Sequence, residues 1–303
     1  MAVRNGGRFL LESVESVRNQ TVEDWRLLLV DDASSDGFVD AVERLGDPRV
    51  TTLRLEANVG QTAALNRGLR EVETEWVARI DADDLAHPRR IEHLQSFLDS
   101  HGDCVLVGSF ARFVDDAGAP IGVFEPPTGD GEIRTMLRTA PRLNPFAHSA
   151  VSYATNVVRS LGGYPSGFEM AEDYALWLRL SECGAVANIP EFDTDIRIHG
   201  AQKTFGRKGL AVYADLLHAH RRFVAEDSGD AAAIRRGRAE VDLHAIGLAL
   251  RLRLKPGDVA SVLRDHRGGL RYGLRHPSLP IEVGRRAIRA ARRGARPVVI
   301  DWS

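Results

Sequence analysis

The chain has 303 residues, 44% of them hydrophobic, as expected for one large soluble α/β domain or for a domain with an appendage. Lys and Arg number 40 against 42 Asp and Glu, and the net charge of −2 argues against a protein that coats nucleic acid. Only Cys104 and Cys183 occur, which excludes a disulfide framework or a thiolate zinc site and fits a reducing compartment. Since no apolar run approaches the roughly 18 residues of a membrane span and the start is no signal peptide, we predict a cytoplasmic protein.

Strand-like and helix-like patterns alternate in the first part of the chain. Two of the strand-like segments are continuous apolar runs, typical of parallel strands buried on both faces. The predicted order is a helix with Leu10, Val14 and Val17, a strand over 25–30, a helix over about 37–45, a strand over 50–55, a helix with Ala64, Leu65, Leu69 and Val72, and a strand over 76–80. This alternation predicts an α/β fold with a mainly parallel sheet.

The second part of the chain alternates less regularly and ends in helices. We predict strands over 104–108 and 111–114, a helix near 131–139, a short helix ending near 161, a helix with Leu176, Leu180 and Cys183, strands over 185–189 and 194–198, and helices after about 205. Ten arginines lie between 264 and 296. They indicate either a solvated helix face or a surface attracted to an anionic membrane.

Two acidic clusters follow predicted strands, Asp31 with Asp32 and the stretch DADD at 81–84. Ligands of open α/β sheets bind at the carboxyl ends of the strands, and crowded carboxylates are commonly held by a cation. The alternative is a solvated turn in which Asp83 or Asp84 caps the helix beginning near Pro88. The chain lacks a dinucleotide fingerprint and a phosphate-binding GxxxxGK[ST] loop, and Leu85 and Ala86 exclude an EF-hand loop.

Two further residues admit a structural and a functional interpretation. Asp173 lies in the first turn of a predicted helix, where a carboxylate gains roughly 0.3–1 kcal/mol from the helix dipole. His199 follows a predicted strand, and a lone histidine there is more often structural than a ligand.

Eight short stretches, in this order, make residues 1 to about 205 resemble family 2 inverting glycosyltransferases, which have a nucleotide-sugar-dependent GT-A fold. The stretches are AVRNG at 2–6, LVDDASSDG at 29–37, NVG at 58–60, NRG at 66–68, DADD at 81–84, GGY at 162–164, EDYALWLRL at 172–180 and RIH at 197–199. The resemblance implies a Rossmann-like GT-A domain over 1–205, followed by a basic α-helical region over 206–303.

The resemblance also implies roles for individual residues. Asp81 and Asp83 would form the Asp-x-Asp pair that holds Mn²⁺ or Mg²⁺ on the donor diphosphate, with His199 near the metal. Asp173 would be the general base that deprotonates the acceptor hydroxyl. The nucleotide sugar would be bound by Arg4, Asp32, Asn58, Gly60, Asn66 and Asp81, and His148 and Glu172 would line the donor or acceptor pocket. The acceptor would be a glycan or a lipid-linked molecule.

The sequence departs from the family pattern at its start. Relatives carry an apolar strand before the stretch at 2–6, so we expect that the natural start lies upstream of Met1 or that the chain is damaged. Arg4 stands where many relatives have a tyrosine that stacks on the base. Two other functions remain open from the sequence, another metal-dependent sugar-phosphate enzyme such as a nucleotidyltransferase, and an inactive nucleotide-sugar binder.

Overall fold

The computed structural model describes residues 1–168, 170–200, 209–225 and 230–251, together with residues 262 and 266. The chain divides into two compact units. The sheet unit comprises Met1–Ile133, Phe146–Ser166 and Arg179–His199, and the helical unit comprises the described residues of Arg134–Pro145, Gly167–Leu178 and Gly200–Ser303. The ten arginines of the predicted membrane-contacting region lie outside the described residues.

From residue 7 to residue 75, helices and strands follow the predicted order. The strands are β1 (Ala2–Val3), β2 (Leu27–Asp31), β3 (Val50–Arg54), β4 (Trp76–Ala78), β5 (Leu85–Ala86), β6 (Cys104–Val114), β7 (Pro120–Phe124), β8 (Ser152–Ala154) and β9 (Ala185–Arg197). The helices are α1 (Gly7–Arg18), α2 (Phe38–Glu43), α3 (Gln61–Glu71), α4 (Arg90–Leu98), α5 (Asp130–Thr139), α6 (Thr155–Ser160), α7 (Glu172–Leu180), α8 (Gly209–Phe223) and α9 (Ala231–Arg251).

The first three strands form a parallel sheet in the order β1-β2-β3. Residues 2–3, to which the sequence analysis assigned no strand, pair with Val30 and Asp31 of β2. The core on this sheet is apolar: Leu10 and Val14 of α1 and Leu29 of β2 are fully buried. The presence of residues upstream of Met1 stays a prediction.

The second sheet is mixed rather than parallel. Its order is β4-β8-β6-β9-β5, with β7 paired to β6. β4 was expected in the parallel sheet, but it pairs antiparallel with β8. This strand has only three residues, too few to show a periodic pattern in the sequence. The segments predicted as two strands at 185–189 and 194–198 are one strand, β9, which runs parallel to β6 with register shifts. The strands β1, β2 and β4 and the loops that follow them nevertheless all belong to the sheet unit.

The helical unit is held together by buried polar contacts. His220 of α8 is fully buried, and its Nε2 donates to the carbonyl of Arg138 at 2.7 Å while its Nδ1 accepts from Arg238 of α9 at 2.9 Å. Burial lowers the pKa of His220 to about 4, so the ring is neutral at pH 7. The hydroxyl of Tyr174 donates to the carbonyl of Leu137 at 2.7 Å. No helix among the described residues is both long and apolar enough to cross a membrane.

Candidate functional site

The loops after β1 and β2 are bound to each other at the carboxyl edge of the parallel sheet. The backbone N–H of Asn5 donates to Ser34 Oγ at 2.9 Å, and Asn5 Oδ1 accepts from the N–H of Ser35 at 2.8 Å. Asn5 and Ala33 both have positive φ, 52° and 57°, a conformation that non-glycine residues adopt at a cost. The two loops are therefore held in one defined arrangement.

Asp32 fixes the third loop of this edge. Its carboxylate oxygens accept the N–H groups of Val59 at 2.6 Å and Gly60 at 2.9 Å, and Asn58 Oδ1 accepts the same Gly60 N–H at 3.0 Å. Each carboxylate oxygen has two lone pairs and accepts one of these N–H groups, so each retains a lone pair for a further donor such as a base N–H. Arg4 is exposed beside this edge and makes no hydrogen bond or ion pair with the described residues. The structure thus brings Asp32, Asn58 and Gly60 together.

The acidic stretch after β4 forms a tight cluster of carboxylates. One oxygen from each of Asp81, Asp83 and Asp84 lies within 4.8 Å of the others. The backbone around Asp81 is fixed on both sides, because its N–H donates to Ser149 Oγ at 2.9 Å and its carbonyl accepts from Ser13 Oγ at 3.1 Å. Hard divalent cations take oxygen ligands in such arrangements, so the donor set fits Mn²⁺ or Mg²⁺.

The carboxylates of the cluster differ in the direction of their pKa shifts. Arg79, with 2% of its side chain exposed, is ion-paired with Asp81. Burial alone would raise the pKa of Asp81, but the charge and hydrogen bond of Arg79 lower it below the usual value. For Asp83 and Asp84, burial and then the charge of Asp81 raise the pKa. A bound cation would favour the ionised carboxylates and so offset the cost of burying them next to each other. This is a second reason why the residues fit a metal.

His199, which the family resemblance implied near the metal, is bonded to this cluster, and its role as a metal ligand stays a prediction. Its Nε2 lies 2.9 Å from Asp83 Oδ2, and its ring centroid is 5.2 Å from that of Phe9 in α1. The alternative in which Asp84 or Asp83 caps the following helix is wrong. The N-cap of α4 is Arg89 and carries no side-chain cap, while Asp84 is buried and accepts the N–H of Arg197 at 2.8 Å.

Asn66 has partners other than the expected ligand. Its Nδ2 donates to the carbonyl of Tyr164 at 2.9 Å, and its Oδ1 accepts the N–H of Tyr164 at 2.8 Å. The hydroxyl of Tyr164 lies 3.1 Å from Nε2 of His148, whose pKa is lowered well below its usual value by burial and by the charge of Arg79. Asn66, Tyr164 and His148 therefore form one connected group, and the donor-binding role of Asn66 stays a prediction.

The candidate base lies in the helical unit. Asp173 is in the first turn of α7, and its Oδ2 accepts from Nδ2 of Asn144 at 3.2 Å. The neighbouring Glu172 is 6% exposed. An amide donor to a carboxylate favours the ionised form, which is the form that accepts a proton. The base role of Asp173 stays a prediction.

Sequence reasoning missed the two buried arginines of the cluster. Arg79 interrupts the apolar run of 76–80 and lies two residues before Asp81, a spacing that places both on one face of an extended chain. A charge within this predicted apolar strand was a usable signal. Arg197 belongs to the matched stretch at 197–199, but nothing in the sequence indicated its partners Glu12 and Asp83, which are more than 100 residues away.

Solved structures confirm the predicted GT-A fold class. The structure of S. aureus TarS residues 1–349 in complex with UDP-GlcNAc superposes with a TM-score of 0.67 at 15% identity, over 99% of this chain and 93% of that one. A mannosyltransferase, PcManGT from Pyrobaculum calidifontis, solved in complex with GDP-Man and Mn²⁺, gives a TM-score of 0.52 at 17% identity, over 98% of this chain and 75% of that one. Identities this low establish the fold alone.

Sequence comparison establishes the family. The model of glycosyl transferase family 2 matches residues 1–141. The O-antigen biosynthesis glycosyltransferase WbnJ of Escherichia coli is 30% identical over 233 residues, which are 74% of this chain and 87% of WbnJ. The chain belongs to glycosyl transferase family 2.

Two other relatives extend this comparison. EpsE of Bacillus subtilis strain 168 is 31% identical over 61% of this chain and 66% of its own length. A UDP-Gal:α-D-GlcNAc-diphosphoundecaprenol β-1,3-galactosyltransferase of Escherichia coli is 27% identical over 70% of this chain and 76% of its own length. The chain thus spans slightly less than two thirds of EpsE and more of the galactosyltransferase.

Proposed function

We propose that the protein is an inverting glycosyltransferase that transfers a sugar from a nucleotide-diphospho-sugar to a hydroxyl group of a glycan or lipid-linked acceptor. The observation that carries this proposal is the carboxylate cluster of Asp81, Asp83 and Asp84, with His199 bonded to Asp83. Membership of family 2 and the names of the relatives support the reaction class and a cytoplasmic site of action, peripheral to the membrane where the acceptor is lipid-linked.

The residues have separate tasks in this proposal. Asp32 holds the 58–60 loop and accepts a hydrogen bond from the nucleotide base, while exposed Arg4 stacks on the base. Asp83 and His199 hold the divalent cation, Mn²⁺ or Mg²⁺, and Asp81 binds the metal or the donor ribose. When bound, the cation supplies positive charge to the diphosphate leaving group.

Asp173 is the proposed general base of a single displacement. Its carboxylate takes the proton of the acceptor hydroxyl while that oxygen attacks the anomeric carbon from the face opposite the diphosphate, and the configuration inverts. The hydrogen bond from Asn144 orients one oxygen of this carboxylate. Only one base is needed, because no covalent sugar intermediate forms.

A screen of nucleotide sugars tests the reaction class. Thermal unfolding is followed with UDP- and GDP-sugars, in Mn²⁺ and in chelator, and release of nucleoside diphosphate is then measured for the stabilising donor. We expect stabilisation and diphosphate release in Mn²⁺ and the loss of both in chelator. Donor binding without any turnover, in the presence of candidate acceptors, would instead favour an inactive binder. Release of pyrophosphate from a nucleoside triphosphate and a sugar 1-phosphate, in a parallel assay, would favour a nucleotidyltransferase.

A further inference from the structure

Arg197, at the end of β9, joins three separate elements of the sheet unit. Its side chain is 2% exposed. Its Nε donates to the carbonyl of Asp83 at 3.0 Å, its Nη1 to the carbonyl of Asp116 at 3.2 Å, and its Nη2 to Oε2 of Glu12 at 2.7 Å. A buried guanidinium with directed bonds on three sides can occupy essentially one position.

This position determines where the carboxylates of the acidic cluster lie. The side chain of Arg197 holds the backbone of Asp83, and its own N–H holds Oδ1 of Asp84. His199, two residues further along the same chain, bonds to Oδ2 of Asp83. Residues 197–199 therefore hold Asp83 through both its backbone and its side chain, and they hold Asp84 through its side chain.

Helix α1 in turn fixes Arg197. Glu12 is its carboxylate partner, and the guanidinium carbon lies 4.3 Å from the ring centroid of Phe9, three residues earlier on the helix. The same Phe9 ring is 5.2 Å from the ring of His199. Glu12 forms an ion pair with this buried cation, so its removal leaves Arg197 less well compensated.

We propose that Glu12 and Arg197 are positioning residues for the metal-binding cluster, with Glu12 acting on Asp83, Asp84 and His199 through Arg197. This inference rests on the proposed metal role of that cluster. Glu12 is half exposed on α1, and its hydrogen bond is to Arg197 rather than to a carboxylate of the cluster, so its structural connection to the cluster is through Arg197. Outer contacts of this kind typically change metal affinity 10- to 100-fold.

The test is a titration of the full chain with Mn²⁺ alone, followed by electron paramagnetic resonance, for Glu12→Ala and Glu12→Gln. Since Glu12 is half exposed, we expect Glu12→Ala to weaken Mn²⁺ binding by about tenfold, the lower end of that range. Glu12→Gln keeps an acceptor for Nη2 and should recover part of the loss. The thermal midpoint is measured in parallel, without metal.

The matched control is Glu15→Ala on the same helix. Glu15 is equally exposed, 51% against 48%, and is ion-paired with Arg18 at 2.6 Å, but it has no link to Arg197 in the structure. We expect Glu15→Ala to bind Mn²⁺ as the wild type does. Wild-type binding that survives unchanged in Glu12→Ala would overturn the inference and leave the proposed function intact. A wild-type protein that binds no Mn²⁺ would overturn the metal role and the inference together.

Discussion

Replacing Gly163 by alanine tests whether Asn66 holds the turn before Tyr164. Gly162 and Gly163 both have φ of +82°, so alanine is strained at either position. A Cβ at Gly163 would stand 2.3 Å from Asn66 Oδ1, whereas nothing lies within 4 Å of a Cβ at Gly162. Gly162→Ala is therefore a control that carries the same backbone strain without the contact.

The expected difference follows from the bonds of Asn66. Left-handed backbone costs an alanine roughly 1 kcal/mol, which both variants share. At Gly163 the amide of Asn66 must also move, and its two hydrogen bonds to the backbone of Tyr164 are worth about 1 kcal/mol each. Gly163→Ala should thus lower the free energy of unfolding by about 3 kcal/mol and Gly162→Ala by about 1 kcal/mol.

Urea denaturation of the two variants, in the wild type and in an Asn66→Ala background, measures this difference. Without the Asn66 amide there is nothing for the new Cβ to displace, so the gap of about 2 kcal/mol should largely close. Equal destabilisation by the two alanines in the wild-type background would refute the reasoning. So would a gap that persists undiminished in Asn66→Ala.

The other predictions concern the base, the base-binding loop and the pH dependence of stability. Asp173→Asn should reduce turnover by roughly 10²–10⁴-fold with an unchanged donor dissociation constant, and near-normal turnover would contradict the base assignment. Asp32→Ala releases the N–H groups of Val59 and Gly60, so nucleoside diphosphate binding measured by calorimetry should weaken about tenfold or more; unchanged affinity would count against the loop's role. Asp195 is partly buried, which opposes ionisation, but hydrogen bonds from His87 and Arg112 lower its pKa overall. A carboxylate whose pKa is lowered by folding stabilises the folded state at pH values above its unfolded-state pKa of about 4. This contribution is lost as the pH falls below that value. The stability advantage of wild type over Asp195→Asn in urea should therefore be full at pH 6 and shrink below about pH 4; an advantage independent of pH would exclude this linkage.

Local patterns were sufficient for the long elements of the fold. The helices α1 and α3 and the strand β2 are each specified by their own apolar residues, which are buried as the pattern requires. Short strands were missed because two or three residues carry no period. β8 is an example, since its place between β4 and β6 depends on partners about 50 to 75 residues away.

The acidic cluster could be predicted because charge at the end of a buried strand is costly and therefore informative. Its surroundings could not, because they depend on contacts between distant segments. Asp84 was ambiguous between a helix cap and an inner carboxylate until the N–H of Arg197, 113 residues away, proved to be its partner. Asn66 was recognised from its motif. Nothing in the sequence near it indicates that both the nitrogen and the oxygen of its side-chain amide bond to the backbone of Tyr164.

The central claim is that Asp83 holds a divalent cation on which donor binding depends. Calorimetric titration tests this claim, with the nucleoside diphosphate of the donor found in the screen as the ligand. The titration is carried out in Mn²⁺ and in chelator for wild type, Asp83→Asn and Asp99→Asn. Asp99 is the control because it is an exposed aspartate at the end of α4. We predict that wild type and Asp99→Asn bind only with Mn²⁺ and that Asp83→Asn loses this metal-dependent binding. Equal affinity of Asp83→Asn and wild type in Mn²⁺ would contradict the account.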